Sequence, residues 1–152
     1  MQFKKRKIVK ILGFSALVLF FPIEPLLAAT KKIINPNLSK EQKNIMFNEG
    51  TERPFTSELL KEKRKGFYHC ANCGNKLFAS TAKYDSGTGW PSFSEALPGA
   101  FKTKIDYSFG MERVEYHCAK CGAHHGHVFN DGPRESGKRF CNNGLCLIFK
   151  PE

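Results

Sequence analysis

Phe67-Tyr68-His69-Cys70-Ala71-Asn72-Cys73-Gly74 and Val114-Glu115-Tyr116-His117-Cys118-Ala119-Lys120-Cys121-Gly122 are two versions of one pattern, a short run ending in Tyr-His that enters a C-x-x-C-G turn. Two sulfurs held on a tight turn can bite one tetrahedral ion. A second such turn completes a four-cysteine site with no open position for water. The glycine after each second cysteine lets backbone N–H groups turn toward sulfur, as in zinc knuckles. Cys70, Cys73, Cys118 and Cys121 are therefore read as ligands of one structural zinc ion. Disulfide pairing is the alternative in an oxidising compartment. Of the six cysteines, Cys141 and Cys146 remain outside the turns.

Outward from the turns, the chain breaks into short alternating runs: residues 67–69, 76–78, 114–117, 127–129 and 145–149. Gly, Pro and Asp punctuate them, the texture of strands and loops. Upstream, Ser39-Lys40-Glu41-Gln42 is a capping-box pattern that opens a short helix through about Phe47, ended by Asn48 and Gly50. A second short helix is expected over Thr56 to Lys63. The expected fold is mainly β and antiparallel, with short N-terminal helices and a four-cysteine brace.

The first thirty residues have a different character. Lys4, Lys5, Arg6, Lys7 and Lys10 form a basic start, Ile11 to Ile23 is almost wholly apolar, and Leu27-Ala28-Ala29 offers small residues for cleavage. Residues 1–29 read as an export signal to the periplasm, 30–38 as a linker with Pro36, and 39–152 as one catalytic domain. The apolar run is shorter than the roughly 20 residues that span a bilayer. An uncleaved membrane anchor is the alternative.

Much of the formal charge of +10 lies at the N-terminal end. Residues 1–32 carry seven Lys/Arg and one Glu, which leaves the rest at +4. The densest basic cluster, Lys61, Lys63, Arg64 and Lys65, is interrupted by Glu62, so it reads as a solvated loop and no nucleic-acid role is expected.

Chemistry is expected around Cys141. Arg139 and Asn143 lie two residues to either side, so on a strand all three share a face. A guanidinium near a thiol favours the thiolate, the form that attacks electrophiles. Gly122 to Phe129 holds His124, His125 and His127, suited to proton transfer near Cys141; His125 reads most readily as a plain surface histidine. Trp90, in Gly87-Thr88-Gly89-Trp90-Pro91, can wall a small apolar pocket or simply fill the core.

Gly50-Thr51-Glu52-Arg53-Pro54-Phe55-Thr56, Tyr84 to Phe93, Cys121 to Phe129, Asp131-Gly132-Pro133 and Arg139 to Asn143 together resemble the B-type peptide methionine sulfoxide reductases, in order, from about Ser39 to Phe149. The resemblance implies two antiparallel sheets leaning together, with a zinc site on the far side from the active cysteine. It implies reduction of the R epimer of methionine sulfoxide in oxidised proteins, with Cys141 as nucleophile passing through a sulfenic acid. Trp90 would hold the substrate methyl group. His124, His127 and Asn143 would surround the sulfoxide oxygen, supported by Arg139 and Asp131.

Many members carry a resolving cysteine two residues before the tryptophan, and here that position is Thr88. Cys146 reads as a core residue rather than a resolver, so an external thiol, thioredoxin-like or other, is the expected reductant. A monomer is expected. Two other readings stand beside this one: a zinc-knuckle binding module that recognises a partner through the Trp90 loop, and a thiol–disulfide oxidoreductase using a C-x-x-C pair.

Overall fold

Ser39 opens the first element as the capping box requires. Its hydroxyl accepts the Gln42 N–H at 3.0 Å, the Gln42 side chain accepts the Ser39 N–H at 2.9 Å, and α1 runs Lys40–Asn48. The computed structural model describes residues 31–152; the export signal read over residues 1–29 lies outside them. Ile45 and Met46 bury one side of α1. The second helix expected over Thr56 to Lys63 is only a 3-10 turn, Glu58–Leu60, capped by the Ser57 side chain. Lys61-Glu62-Lys63-Arg64-Lys65 offers no apolar stripe to hold a longer helix against the core.

Among the described residues nine strands follow: β1 Gly66–Cys70, β2 Lys76–Ala79, β3 Lys83–Tyr84, β4 Ser92–Phe93, β5 Phe101–Asp106, β6 Arg113–Cys118, β7 His124–Phe129, β8 Arg139–Asn142 and β9 Leu147–Pro151. They form two antiparallel sheets, β2-β1-β9 and β3-β4-β8-β7-β6-β5. Their facing sides meet in aromatic packing. Phe78 of the small sheet stacks on Phe93 of the large one at 4.0 Å between centroids, and Tyr68 meets Phe93 edge-on at 4.9 Å. Tyr68, Phe78, Phe93 and Tyr116 are fully buried, so this aromatic layer supplies much of the apolar area that drives the sheets together.

The run read as a strand over 145–149 begins later than expected. Gly144–Cys146 is a 3-10 turn, and β9 starts at Leu147. That turn brings Cys146 into the core with no exposure. Residues 32–35 are bound to both cysteine turns. Asn72 Oδ1 accepts the Ile34 and Asn35 N–H groups at 2.8 and 3.1 Å, Asn72 Nδ2 donates to Lys32 O at 2.7 Å, and Lys32 N–H donates to Cys121 O at 3.1 Å.

Candidate active site and metal centre

β1 and β6 each run into a cysteine turn of the same geometry. Gly74 and Gly122 adopt left-handed φ values of 71° and 70°, and each N–H reaches back to the first cysteine's carbonyl at 2.8 Å. A side chain would be strained at that φ, which is why glycine ends each turn. The four sulfurs lie within 4.8 Å of one another. The closest pairs join different turns, Cys73 with Cys118 at 3.6 Å and Cys70 with Cys121 at 3.8 Å. Those separations exceed a disulfide's length of about 2.05 Å; the four converge on one point as ligands of a single ion would. Crowding couples their ionisation: contacts with Cys121 and Cys70 push Cys118 down, while contacts with Cys118 and Cys121 push Cys70 up. A cation between them removes that conflict by favouring thiolate at all four.

His125 corrects the expectation of a surface histidine. It is fully buried, with Nε2 3.4 Å from Cys70 Sγ. Burial holds its pKa down to about 4, so the ring is neutral and its N–H can donate to a ligand sulfur. The alternating pattern around it gives no sign of this, because the contact depends on packing β7 against the end of β1.

Some of the expected site residues do converge. His127 on β7 and Cys141 on β8 are direct cross-strand partners, so their side chains leave the sheet on the same face. They border a hollow of about 130 Å³ together with Trp90, Phe129, Asn142 and Asn143. Gly126 leaves room for this pairing, since a Cβ there would stand 2.0 Å from the Cys141 carbonyl oxygen. His124 lies behind His127 with ring centroids 5.6 Å apart, and is itself buried. Its Nδ1 is 2.9 Å from Glu115 Oε1, in ion-pair contact rather than along a straight hydrogen bond. Burial pushes the Glu115 carboxyl up, but His124 and Lys104 more than offset this and hold it below its ordinary value.

Asn143 is the best-anchored of these residues. Its Oδ1 accepts the Glu52 N–H at 2.8 Å, and its Nδ2 donates to the His125 carbonyl at 3.0 Å. It sits one residue beyond β8 and precedes the turn Gly144–Cys146. Arg139 makes a bidentate pair with Asp131 at 2.8 Å for each bond, and its guanidinium lies over the Phe129 ring. Burial pushes the Cys141 thiol above its ordinary pKa, whereas the Arg139 charge, foremost, and the nearby Thr88 side chain pull it down. The expected effect of Arg139 is present, but burial outweighs it.

Sequence reasoning missed several participants. Asp106 Oδ2 lies 2.8 Å from His127 Nε2 and 2.7 Å from an Arg113 nitrogen. Hydrogen bonds from Ser108 hold the Asp106 carboxyl well below its usual range. Burial lowers the His127 pKa despite that carboxylate, so the neutral ring donates Nε2–H to Asp106. Glu52, buried, is a hub. Its carbonyl accepts the Trp90 Nε1–H at 2.9 Å, and its Oε2 accepts the N–H groups of Gly144 and Leu145 at 2.5 and 3.3 Å. The contacts of Glu52 with Asn143, Gly144 and Leu145 bridge some ninety residues of chain, and no local pattern signals them.

A sheet pair braced by four sulfurs, with one separate thiol opening into a small hollow, defines a metal-site β domain with an addressable cysteine. Residues 38–151 match the SelR domain, and the chain belongs to that family. It is 56% identical over 101 residues to the peptide methionine sulfoxide reductase MsrB of Variovorax paradoxus, covering 66% of this chain and 74% of that protein. It is 51% identical over 116 residues to the MsrB of Leptospira interrogans, covering 76% of this chain and 88% of that protein. With the MsrB of Methanosarcina barkeri it shares 47% identity over 123 residues, or 80% and 84% of the two chains.

Proposed function

We propose that this protein reduces methionine-R-sulfoxide in oxidised proteins to methionine, at the expense of a thiol reductant. The observation that carries the mechanism is the facing of Cys141 and His127 across β7 and β8 beside Trp90, in a chain whose family is the one named above. Trp90 and Phe129 give the hollow an apolar wall for the methyl group. The Cys141 thiolate attacks the sulfoxide sulfur while the oxygen takes up a proton. The protonated oxygen then passes as hydroxyl to the Cys141 sulfur, so that the S–O bond and the transient bond between the two sulfurs both break; methionine leaves reduced by two electrons and Cys141, oxidised by two, becomes a sulfenic acid. His127, set by Asp106, and His124, set by Glu115, are the groups placed to manage that proton. Asn143 fixes the turn that follows the nucleophile.

A thiol from outside the chain then attacks the sulfenic sulfur and releases water, leaving a disulfide for a second thiol to open; a thioredoxin-like protein fits this role. Thr88 stands where a resolving cysteine would be, and its hydroxyl is hydrogen-bonded to Ser86 at 2.8 Å. Cys146 is fully buried, and that burial raises its thiol pKa well above the ordinary value, which supports a core role.

Zinc is the ion that four thiolates in tetrahedral reach suit best. When bound to Cys70, Cys73, Cys118 and Cys121 it supplies charge neutralisation and bracing, with no open position for substrate. The basic and apolar character of residues 1–29 supports export to the periplasm. Among the described residues no helix is long and apolar enough to cross a membrane. Turnover of separate R and S epimers by residues 30–152, and by Cys141→Ser, tests the whole reading. Reduction confined to the R epimer, abolished in the variant with fold and metal content intact, is expected. No turnover of either epimer by the wild type would leave a binding module instead, and equal activity in the variant would move the nucleophile away from Cys141.

A further inference from the structure

We infer that a second hollow, meeting the first at Trp90, receives an apolar side chain that flanks methionine sulfoxide in the substrate protein; the inference rests on the reductase reading above. This hollow is about 300 Å³ and is walled by Phe55, Leu60, Tyr84, Trp90 and Pro91. Trp90 lines both spaces, so a peptide whose sulfoxide reaches Cys141 passes over it.

Phe55 is the telling residue. Its ring is 71% exposed, and its backbone lies at φ +64°, a conformation bulky residues rarely adopt and one that stores strain. The fold nevertheless holds it in place. Phe55 N–H donates to the Gly89 carbonyl at 2.7 Å, and the ring lies over Gly89, where a Cβ would stand 2.9 Å away. A strained backbone that presents a fixed phenyl ring to water contributes little to the core. It does preform an apolar wall for a ligand to cover.

The charged groups in the same hollow favour an apolar occupant over an ionic one. Lys83 Nζ already donates to the Leu60 carbonyl at 3.0 Å, and Asp85 already accepts the Gly87 N–H at 2.9 Å. Apart from the solvent-exposed Lys61, what the hollow leaves open to a ligand is mainly aromatic and aliphatic surface.

The test compares kcat/KM for two methionine-R-sulfoxide peptides, one flanked on both sides by phenylalanine and one by glycine, measured on the same enzyme sample so that any loss of folded protein cancels. The wild type should prefer the phenylalanine peptide by roughly tenfold, the discrimination expected of one apolar pocket. Phe55→Gly removes the ring and relieves the positive φ, and should bring the ratio close to one; Leu60→Ala should lower it less. A wild-type ratio near one, or a ratio retained in both variants, would overturn the subsite. Acetylated methionine-R-sulfoxide tests the parent reading alone: if the wild type cannot reduce it, the reductase assignment falls and the subsite with it. Turnover of that compound with a ratio near one removes only the subsite.

Discussion

His127 and Cys141 stand opposite each other on β7 and β8, so that an imidazole hydrogen-bonded to Asp106 and a free thiol share one face of the large sheet. Strands hold this pair, whereas Trp90, which lines the same hollow, comes from a loop tied back to Glu52. Chemistry on strands with recognition on loops is a common division, because strands fix geometry and loops tolerate variation.

The Cys141 thiol sits above its ordinary pKa through burial, and Arg139 counters this. Removing the cation must therefore raise the thiol further and shrink the thiolate fraction at neutral pH. Arg139→Ala should slow alkylation of Cys141 by iodoacetamide at pH 7 by about fivefold and move the midpoint of its pH profile upward. An unchanged profile would show that the Asp131 carboxylate already cancels the guanidinium at the sulfur.

Glu52 joins Trp90, Asn143 and the turn at Gly144. Glu52→Ala leaves two buried N–H groups without an acceptor and should cost about 2–4 kcal/mol in urea denaturation. Glu52→Gln retains an acceptor and should cost less. Burial raises the Glu52 pKa, so the carboxyl stabilises the fold most below its unfolded value and loses that contribution as pH rises through the folded value. Glu52→Gln should thus gain on the wild type as pH increases past the ordinary carboxylate range, and parallel stability curves would refute the raised pKa.

Metal and folding should be linked. Cys118→Ser, or prolonged exposure to a strong chelator, should abolish the cooperative melt, since a structural zinc site supplies on the order of 10 kcal/mol of apparent binding energy. His125→Leu should leave the fold intact yet weaken metal retention by roughly tenfold or more in a competition with a chromogenic chelator, because it removes the N–H beside Cys70. Equal retention would make His125 a space-filler only.

Trp90 is half-buried, and its indole N–H is spent on the Glu52 carbonyl. Trp90→Ala should raise KM for sulfoxide peptides about tenfold, with a loss of only about 1–2 kcal/mol in stability. A large stability loss with KM unaltered would place the indole in the core alone.

Much of the fold was readable because its signals are local. The capping box at Ser39 and Gln42 forms as written, and the strands entering the cysteine turns lie where the alternation puts them. Strand β5 escaped notice since Phe101 to Asp106 carries charges at Lys102 and Lys104 on an edge strand whose residues are mostly exposed. Asp106 was missed with it. The helix expected near Thr56 failed because propensity without an apolar stripe gives no tertiary contact to hold it.

Spacing alone identified the four metal-site sulfurs and separated Cys141 from them, since two ligands on one turn are a matter of near neighbours in the chain. The fold alone revealed that His125 lies against Cys70, that Asp106 holds His127, that Glu52 ties Trp90 to Asn143, and that burial outweighs Arg139 at the Cys141 sulfur. Those depend on solvent exclusion and on contacts between distant residues, and both arise only when the two sheets close over their shared aromatic layer.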